Sequence, residues 1–198
     1  NNWKCTTGVN WIIGTNTSIN KNLNDSINVI TFDDNDPLGP NSAARGDLFA
    51  TLCTSGGTSR FFVHDIDMRF SANAAGFAWN FGTGNAPAGQ IDFESTALHE
   101  LGHLHVLDHS LEVSVMFPSV STGTTKRILD TEDVNGGNFM MGISTVTPVC
   151  GPAAIVPFSQ PTLTATIAVS STSICSGATI TGTATVDGNV GAPVFSWC

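Results

Sequence analysis

The sequence predicts an α+β fold, with one mixed α/β domain followed by a short β-rich segment, and three observations support this prediction. Segments rich in β-branched and apolar residues, typical of strands, lie at residues 27–32, 48–53 and 60–70. Apolar residues then recur at helical spacing over residues 93–104. From Thr147 the composition becomes proline-rich and then almost uncharged. The 198 residues suffice for one domain of about 150 residues plus a fragment of another.

The first half of the chain is predicted to consist mainly of strands. "INVITF" (27–32) precedes the acidic, turn-forming "DDNDPLGPN", and "LFATLC" (48–53) and "RFFVHDIDMRF" (60–70) follow it. "GFAWNFG" (76–82) is predicted to be a short edge strand. A loop rich in Gly, Asn and Pro separates it from the next element.

A helix is predicted after this loop. Asp92 is suited to be its N-cap, because a short acidic side chain can accept hydrogen bonds from the first turn. The buried stripe is predicted to consist of Phe93, Ala97, Leu101 and Leu104. His99 and His103 are four residues apart and therefore share a different face, one turn apart.

A second helix is predicted to begin at Asp130 and to close a domain that spans residues 1–146. Residues 147–161 contain four prolines and predict a linker. Residues 162–198 are rich in Thr, Ser, Val and Ile and predict part of an immunoglobulin-like β-sandwich, because a complete one needs roughly 100 residues.

The composition excludes several classes of partner. Seven basic against 16 acidic residues give a net charge of -9, which repels a phosphate backbone, so no nucleic acid is expected as a partner. No apolar run approaches the roughly 20 residues of a membrane-spanning helix. Only 12% of the residues are charged, a composition typical of exported proteins. We expect a secreted, extracellular monomer, with attachment to a cell surface left open.

The cysteines predict disulfides rather than a thiolate metal site. The five cysteines form no CxxC pair, and in an exported protein the default is a disulfide. The odd number leaves at least one thiol free or paired outside this chain. The domain division favours Cys5 with Cys53 and Cys175 with Cys198.

The stretch "HELGHLHVLDH" at residues 99–109 concentrates the residues that can carry chemistry. Two imidazoles one helical turn apart can bind one zinc ion, and a glutamate directly after the first can act as a general base. This pattern predicts His99 and His103 as ligands and Glu100 as the base. A catalytic zinc site needs a third ligand. His109 is one candidate, and a glutamate, Glu112 or Glu132, is the alternative.

These residues, followed by "SVMFPSV", resemble the HExxHxxGxxH motif and methionine turn of the metzincin clan of zinc endopeptidases. The chain is most similar to the matrixin branch, in particular to secreted bacterial matrixin-like proteases, over roughly residues 27–142. The resemblance implies a twisted mixed sheet, an active-site helix and a closing helix. It also implies a zinc-dependent endopeptidase that cleaves proteins or peptides. The residues that it assigns are the zinc ligands His99, His103 and His109, the base Glu100, and Met116 and Pro118 in the turn beneath the metal.

Two departures from the family pattern concern the turn after the first predicted helix and the closing helix. Val106 stands where the family has the glycine that turns the chain out of the helix. Either its φ is negative and the turn is wider, or the third ligand is imperfectly placed. Gly137 interrupts the closing helix where the family has an apolar residue.

Two further expectations concern calcium and an alternative function. Calcium could bind oxygen ligands among five acidic residues, Asp33, Asp34, Asp36, Asp65 and Asp67, although solvated carboxylates are the more common case. The alternative to a protease is a catalytically silent binding or adhesion module that keeps the metal as a structural element. Glu100 argues against that alternative, since a structural site needs no base.

Overall fold

The computed structural model describes most of the first 159 residues and two later strands. The described residues are 2–32, 38–72, 74–111 and 113–159, together with the strands at 165–169 and 182–186. The chain divides into two compact units, Asn1–Phe158 and Ser159–Cys198. The domain limits proposed from the sequence remain a prediction.

The first unit contains a three-stranded mixed sheet in the order β1-β3-β2. The strands are β1 (Ile30–Phe32), β2 (Ala44–Ser55) and β3 (Thr58–Phe70). β1 runs parallel to β3, whereas β2 is antiparallel to it and forms a long hairpin with it. Gly56 and Gly57 form the hairpin turn with positive φ angles of 57° and 79°, which glycine adopts without a steric cost. The mixed sheet confirms the predicted mixed α/β class.

The segment predicted as an edge strand forms a separate small ladder. β4 (Ala78–Asn80) pairs in parallel with β5 (Gln90–Asp92), and within the described residues it does not join the three-stranded sheet. β5 leads directly into helix α2 (Phe93–Leu104), which contains His99 and His103.

Asp92 caps α2 as the sequence predicted. Its carboxylate accepts hydrogen bonds from the Ser95 backbone N–H at 3.0 Å and the Ser95 hydroxyl at 2.6 Å. The guanidinium of Arg127 also binds this carboxylate, through Nε at 2.9 Å and Nη2. Burial raises the pKa of Asp92, but the hydrogen bonds from Arg127 and Ser95 outweigh it and hold the pKa at about 2.

Helix α2 packs against the core on two sides. The predicted stripe, Phe93, Ala97, Leu101 and Leu104, packs against Met68 and Phe70 of β3. The sequence analysis missed the other side, where Leu98 joins a second buried cluster. The other buried members of that cluster are Trp3, Val115, Met116 and Leu129.

Two further helices complete the first unit. Helix α3 (Thr131–Ser144) begins after Asp130, whose side chain forms a capping box with Asp133. The predicted start of the closing helix is therefore confirmed. Helix α1 (Asn2–Thr7) packs against α3 and was not predicted. Its Trp3 is fully buried and donates a hydrogen bond of 2.9 Å from Nε1 to the carbonyl of Leu98.

Two helical glycines make room for this tryptophan. A Cβ atom on Gly137 of α3 would lie 2.6 Å from Cγ2 of Thr7 and 3.0 Å from the Trp3 ring. A Cβ atom on Gly102 of α2 would lie 2.2 Å from the Met116 sulfur and 2.9 Å from the Trp3 ring. Gly137 departs from the family pattern because helix α1 occupies the space that an apolar side chain would fill.

The disulfide expected between Cys5 and Cys53 is wrong, because Cys53 is bonded to Cys150. This bond ties the β2–β3 hairpin to the segment that follows α3, a sequence separation of 97 residues. Cys175 and Cys198 lie outside the described residues.

In the second unit, the described backbone consists of β6 (Ala165–Val169) and β7 (Gly182–Val186), which pair antiparallel. Two strands do not identify a sandwich, so the immunoglobulin-like assignment remains a prediction. In the described parts of both units, no helix is long and apolar enough to cross a membrane.

Candidate metal centre

Three histidines from α2 and the segment after it converge on one point. His99 and His103 lie one turn apart on α2, and His109 follows the end of the helix. One ring nitrogen from each lies within 4.8 Å of the others, and the Nε2 atoms of His103 and His109 are 3.1 Å apart. Zn–N bonds of about 2.0 to 2.1 Å bring two ligands on a tetrahedral ion to a spacing of roughly 3.4 Å. The arrangement therefore fits a zinc ion with three histidine ligands.

Backbone carbonyls orient two of these rings. Nδ1 of His99 lies 2.6 Å from the carbonyl oxygen of Val115, and Nδ1 of His103 lies 2.8 Å from that of Leu107. Each Nδ1 must carry the proton to donate to a carbonyl, which leaves Nε2 free as a metal ligand. His99 and His103 are therefore both in the tautomer that can bind a metal ion through Nε2.

The surroundings of His99 and His109 lower the pKa of each imidazole. Burial lowers the pKa of His99 to about 4. Burial, followed by the neighbouring His103, also lowers the pKa of His109. Because a metal binds the unprotonated ring nitrogen, both shifts favour metal binding at neutral pH.

The chain leaves α2 through a Schellman motif centred on Val106. His105 is the C-cap, the N–H of Leu107 donates to the carbonyl of Gly102 at 3.1 Å, and the N–H of Val106 donates to that of His103 at 2.8 Å. Val106 occupies the position after the cap, with φ of +64°. Of the two alternatives expected for Val106, the negative φ is wrong, and the histidines nevertheless converge.

This conformation is costly for a β-branched residue. The left-handed region normally holds glycine or asparagine at this position, and a strained residue costs about 1 to 3 kcal/mol. The Val106 side chain gains little in return, because 46% of the residue is exposed. Interactions elsewhere in the structure must therefore offset the strain, because the contacts of the Val106 side chain do not.

The segment predicted as the methionine turn meets the metal centre through the Val115 carbonyl, which contacts His99. Met116 is buried, and the carboxylate of Asp133 from α3 accepts hydrogen bonds of 3.0 Å from the backbone N–H groups of both Val115 and Met116. Because the Val115 carbonyl orients His99, Asp133 is linked to the metal centre through one residue. The sequence analysis did not identify Asp133, since only the fold shows which backbone groups its side chain meets.

Glu100 is a buried carboxyl group beside the first ligand. Its Oε2 accepts a hydrogen bond of 2.7 Å from the backbone N–H of Gly46 in β2. Burial raises the pKa of Glu100 to about 7. A carboxyl group with this pKa can accept and release a proton near neutral pH.

A cleft of about 750 Å³ adjoins the histidines and Glu100. Residues 44–46 of β2 line one part of it, and residues 117–120, which include Pro118, line another. β2 is one of the two outer strands of the described sheet, and its residues 44–46 border this cleft. The cleft is therefore large enough and open enough for an extended chain segment.

The sequence offered two glutamates as alternative third ligands. Glu132 is exposed at the start of α3, and Glu112 lies outside the described residues. The metal-binding group found among the described residues contains His109 and no glutamate.

The calcium expectation has no support. Asp65 and Asp67 are buried, and their carboxylates accept backbone N–H groups of residues 23–29. Asp33, Asp34 and Asp36 lie outside the described residues.

Comparison with known proteins identifies the family of the chain. The family model for matrixins matches residues 12–141, which is more than half of the chain. The chain therefore belongs to the matrixin family, a family of metalloendopeptidases, and the resemblance found in the sequence is confirmed. No solved structure matches the chain.

Several curated plant proteins are similar over a short region. Metalloendoproteinase 2-MMP of Arabidopsis thaliana is 45% identical over 53 residues, which are 26% of this chain and 14% of the relative. Metalloendoproteinase 5-MMP of the same plant is 43% identical over 53 residues, 26% of this chain and 15% of the relative. Metalloendoproteinase 1 of Glycine max is 41% identical over 55 residues, 27% and 18% of the two chains. The alignments thus cover less than a fifth of each relative.

Proposed function

We propose that the protein is a secreted zinc-dependent endopeptidase, with His99, His103 and His109 as the zinc ligands and Glu100 as the general base. The observation that carries this proposal is the convergence of three imidazole nitrogens next to a buried carboxyl group in an open cleft. Three histidine ligands leave a fourth position of a tetrahedral zinc ion open, as catalysis requires and a purely structural site does not. Family membership supports the same function.

The chain's own groups supply binding and proton transfer. A bound zinc ion contributes Lewis acidity, which lowers the pKa of a water molecule and polarises a carbonyl oxygen. Glu100 takes the proton of the attacking water and delivers it to the leaving amine. The Gly46 N–H holds Oε2 of Glu100, and burial raises the pKa of this carboxyl group, which favours uptake of a proton.

The substrate is proposed to bind as an extended peptide along the free edge of β2. Backbone groups at a sheet edge recognise a strand of any sequence, and side-chain pockets then add specificity. Residues 76–82 were predicted to be an edge strand, but within the described residues β4 pairs with β5 and does not join the three-stranded sheet. We therefore assign the substrate edge to β2, which borders the cleft.

Secretion is supported by the low content of charged residues and by the disulfide between Cys53 and Cys150. The monomeric state, the absence of nucleic-acid partners and the bacterial type remain predictions.

The decisive experiment compares the purified chain with Glu100→Ala in casein hydrolysis, with zinc measured in both by elemental analysis. We expect one zinc per chain in each, and a loss of hydrolysis of at least about 100-fold in the variant. If both bind zinc and neither cleaves, the silent binding module becomes the better explanation. Glu132→Gln is a matched control, because the change removes an exposed carboxylate outside the metal-binding group.

A further inference from the structure

The strained turn at Val106 lies between two of the three metal ligands. His103 precedes it by three residues and His109 follows it by three residues. Their Nε2 atoms are 3.1 Å apart, so the chain from one to the other forms a closed loop around the turn. A metal ion held by both histidines would clamp this loop from both ends.

Without that clamp, few interactions hold the left-handed conformation. Two backbone hydrogen bonds, from the N–H groups of Val106 and Leu107, close the end of the helix. The side chain of Leu107 packs against the core, but Val106 itself is half exposed, and Asp108 and His109 are exposed. Because nearly half of Val106 is exposed, its own packing holds it in place only weakly.

The same turn also positions a ligand. The carbonyl of Leu107 accepts the hydrogen bond from Nδ1 of His103, at 2.8 Å. The orientation of that ring thus depends on the peptide directly after Val106. A change of φ at Val106 would move this carbonyl and release the ring.

We propose that Val106 makes the end of α2 depend on the metal: the turn is closed when zinc is bound, relaxes when zinc leaves, and so lowers the zinc affinity of the site. The proposal rests on the proposed zinc site and adds a regulatory property to it. Glycine at this position would close the turn in both states. With valine, a higher concentration of free zinc is needed to fill the site.

The test is the zinc affinity of the parent chain and of Val106→Gly, measured by competition with a chromophoric chelator. We expect Val106→Gly to bind zinc about tenfold more tightly, which corresponds to about 1.4 kcal/mol. The denaturant midpoint should rise more in the zinc-loaded form than in the metal-free form, because only the loaded parent carries the full strain. Val106→Asn should act in the same direction, since asparagine tolerates positive φ.

Ser26→Gly is the matched control. Ser26 also has a φ of +64°, but it lies in the exposed loop before β1. Relief of strain there should raise the midpoints of both forms equally and leave the zinc affinity unchanged.

Amide exchange at Leu107 gives a second readout. In the parent, exchange of this N–H should be fast without zinc and at least about tenfold slower with it, whereas Val106→Gly should protect the N–H in both forms.

Three outcomes are distinguishable. A zinc affinity in Val106→Gly and Val106→Asn that stays within about twofold of the parent, with equal shifts of both midpoints, overturns the inference but leaves the protease intact. Failure of the parent chain to bind zinc overturns the proposed function, and this inference with it. Tighter zinc binding in Val106→Gly but not in Ser26→Gly supports the inference.

Discussion

The carboxylate of Asp133 binds the backbone N–H of Val115 at 3.0 Å, and the carbonyl of Val115 in turn orients His99. Asp133 is almost fully buried and also accepts hydrogen bonds from the N–H groups of Met116 and Asp130. One side chain on α3 therefore fixes both the methionine turn and the start of its own helix. This link joins the closing helix to the metal centre.

Asp133→Asn should weaken both folding and metal binding. The variant amide replaces an oxygen that faces backbone N–H donors, so we expect a loss of about 2 to 4 kcal/mol in the free energy of unfolding. Misorientation of His99 should lower the zinc affinity by about 10- to 100-fold. Denaturant unfolding and chelator competition measure the two effects.

The neighbouring Glu132→Gln is the control for Asp133→Asn. Glu132 is exposed, so its replacement should change the unfolding free energy by no more than about 0.5 kcal/mol. Equal zinc affinities in Asp133→Asn and the parent would show that Asp133 does not act on the metal centre.

The Asp92 cap gives a pH-dependent prediction. Because its pKa is about 2 in the folded chain, against 3.8 as the reference value, the folded state binds fewer protons than the unfolded state between these pH values. The stabilisation is complete above pH 4 and is lost as the pH falls through about 2. Asp92→Asn should therefore cost about 2 kcal/mol at pH 7 and progressively less below pH 4. Denaturant midpoints across this range measure the difference.

Glu94→Gln is a matched control for the cap, since Glu94 also binds Arg127 but is 64% exposed. A pH-independent difference between Asp92→Asn and the parent would contradict the assignment of this stabilisation to the carboxylate charge.

The local features of the site could be predicted from the sequence because helix geometry is itself local. The four-residue spacing of His99 and His103 places them on one face, and Asp92 and Asp130 cap their helices through residues two or three positions away. The strands of the mixed sheet could be predicted because their segments are rich in β-branched and apolar residues. These elements require no knowledge of distant contacts.

The features that the sequence did not reveal all depend on contacts between distant segments. Trp3 meets Leu98 across 95 positions, and Cys53 meets Cys150 across 97. Spacing cannot rank such pairings, and nothing in the short N-terminal segment indicates that its helix fills a gap beneath the active-site helix. The position of β2 beside the cleft could not be predicted for the same reason.

His105 shows that the motif contains a histidine with a different role. It is buried with its ring edge-on to Trp3 at 5.9 Å, and neither ring nitrogen has a hydrogen-bond partner among the described residues. A buried polar group without a partner is destabilising, so His105→Phe should raise the unfolding free energy at pH 7 by about 1 kcal/mol. Thermal unfolding measures this, and a clear loss of stability would show that the imidazole has a polar partner.

Two glycines of α3 separate the effect of steric crowding from the effect of helix propensity. Gly137 faces Thr7 and Trp3, whereas nothing lies within 4 Å of a Cβ atom built on Gly142. Gly137→Ala should therefore destabilise the chain by about 1 to 3 kcal/mol, because α1 must move to admit the methyl group. Gly142→Ala should stabilise it by about 0.5 kcal/mol, because alanine loses less backbone entropy in a helix. Opposite shifts of the denaturant midpoint in the two variants would establish that α1 packs against Gly137 as part of the core. Equal shifts would show that α1 does not pack against α3 at Gly137.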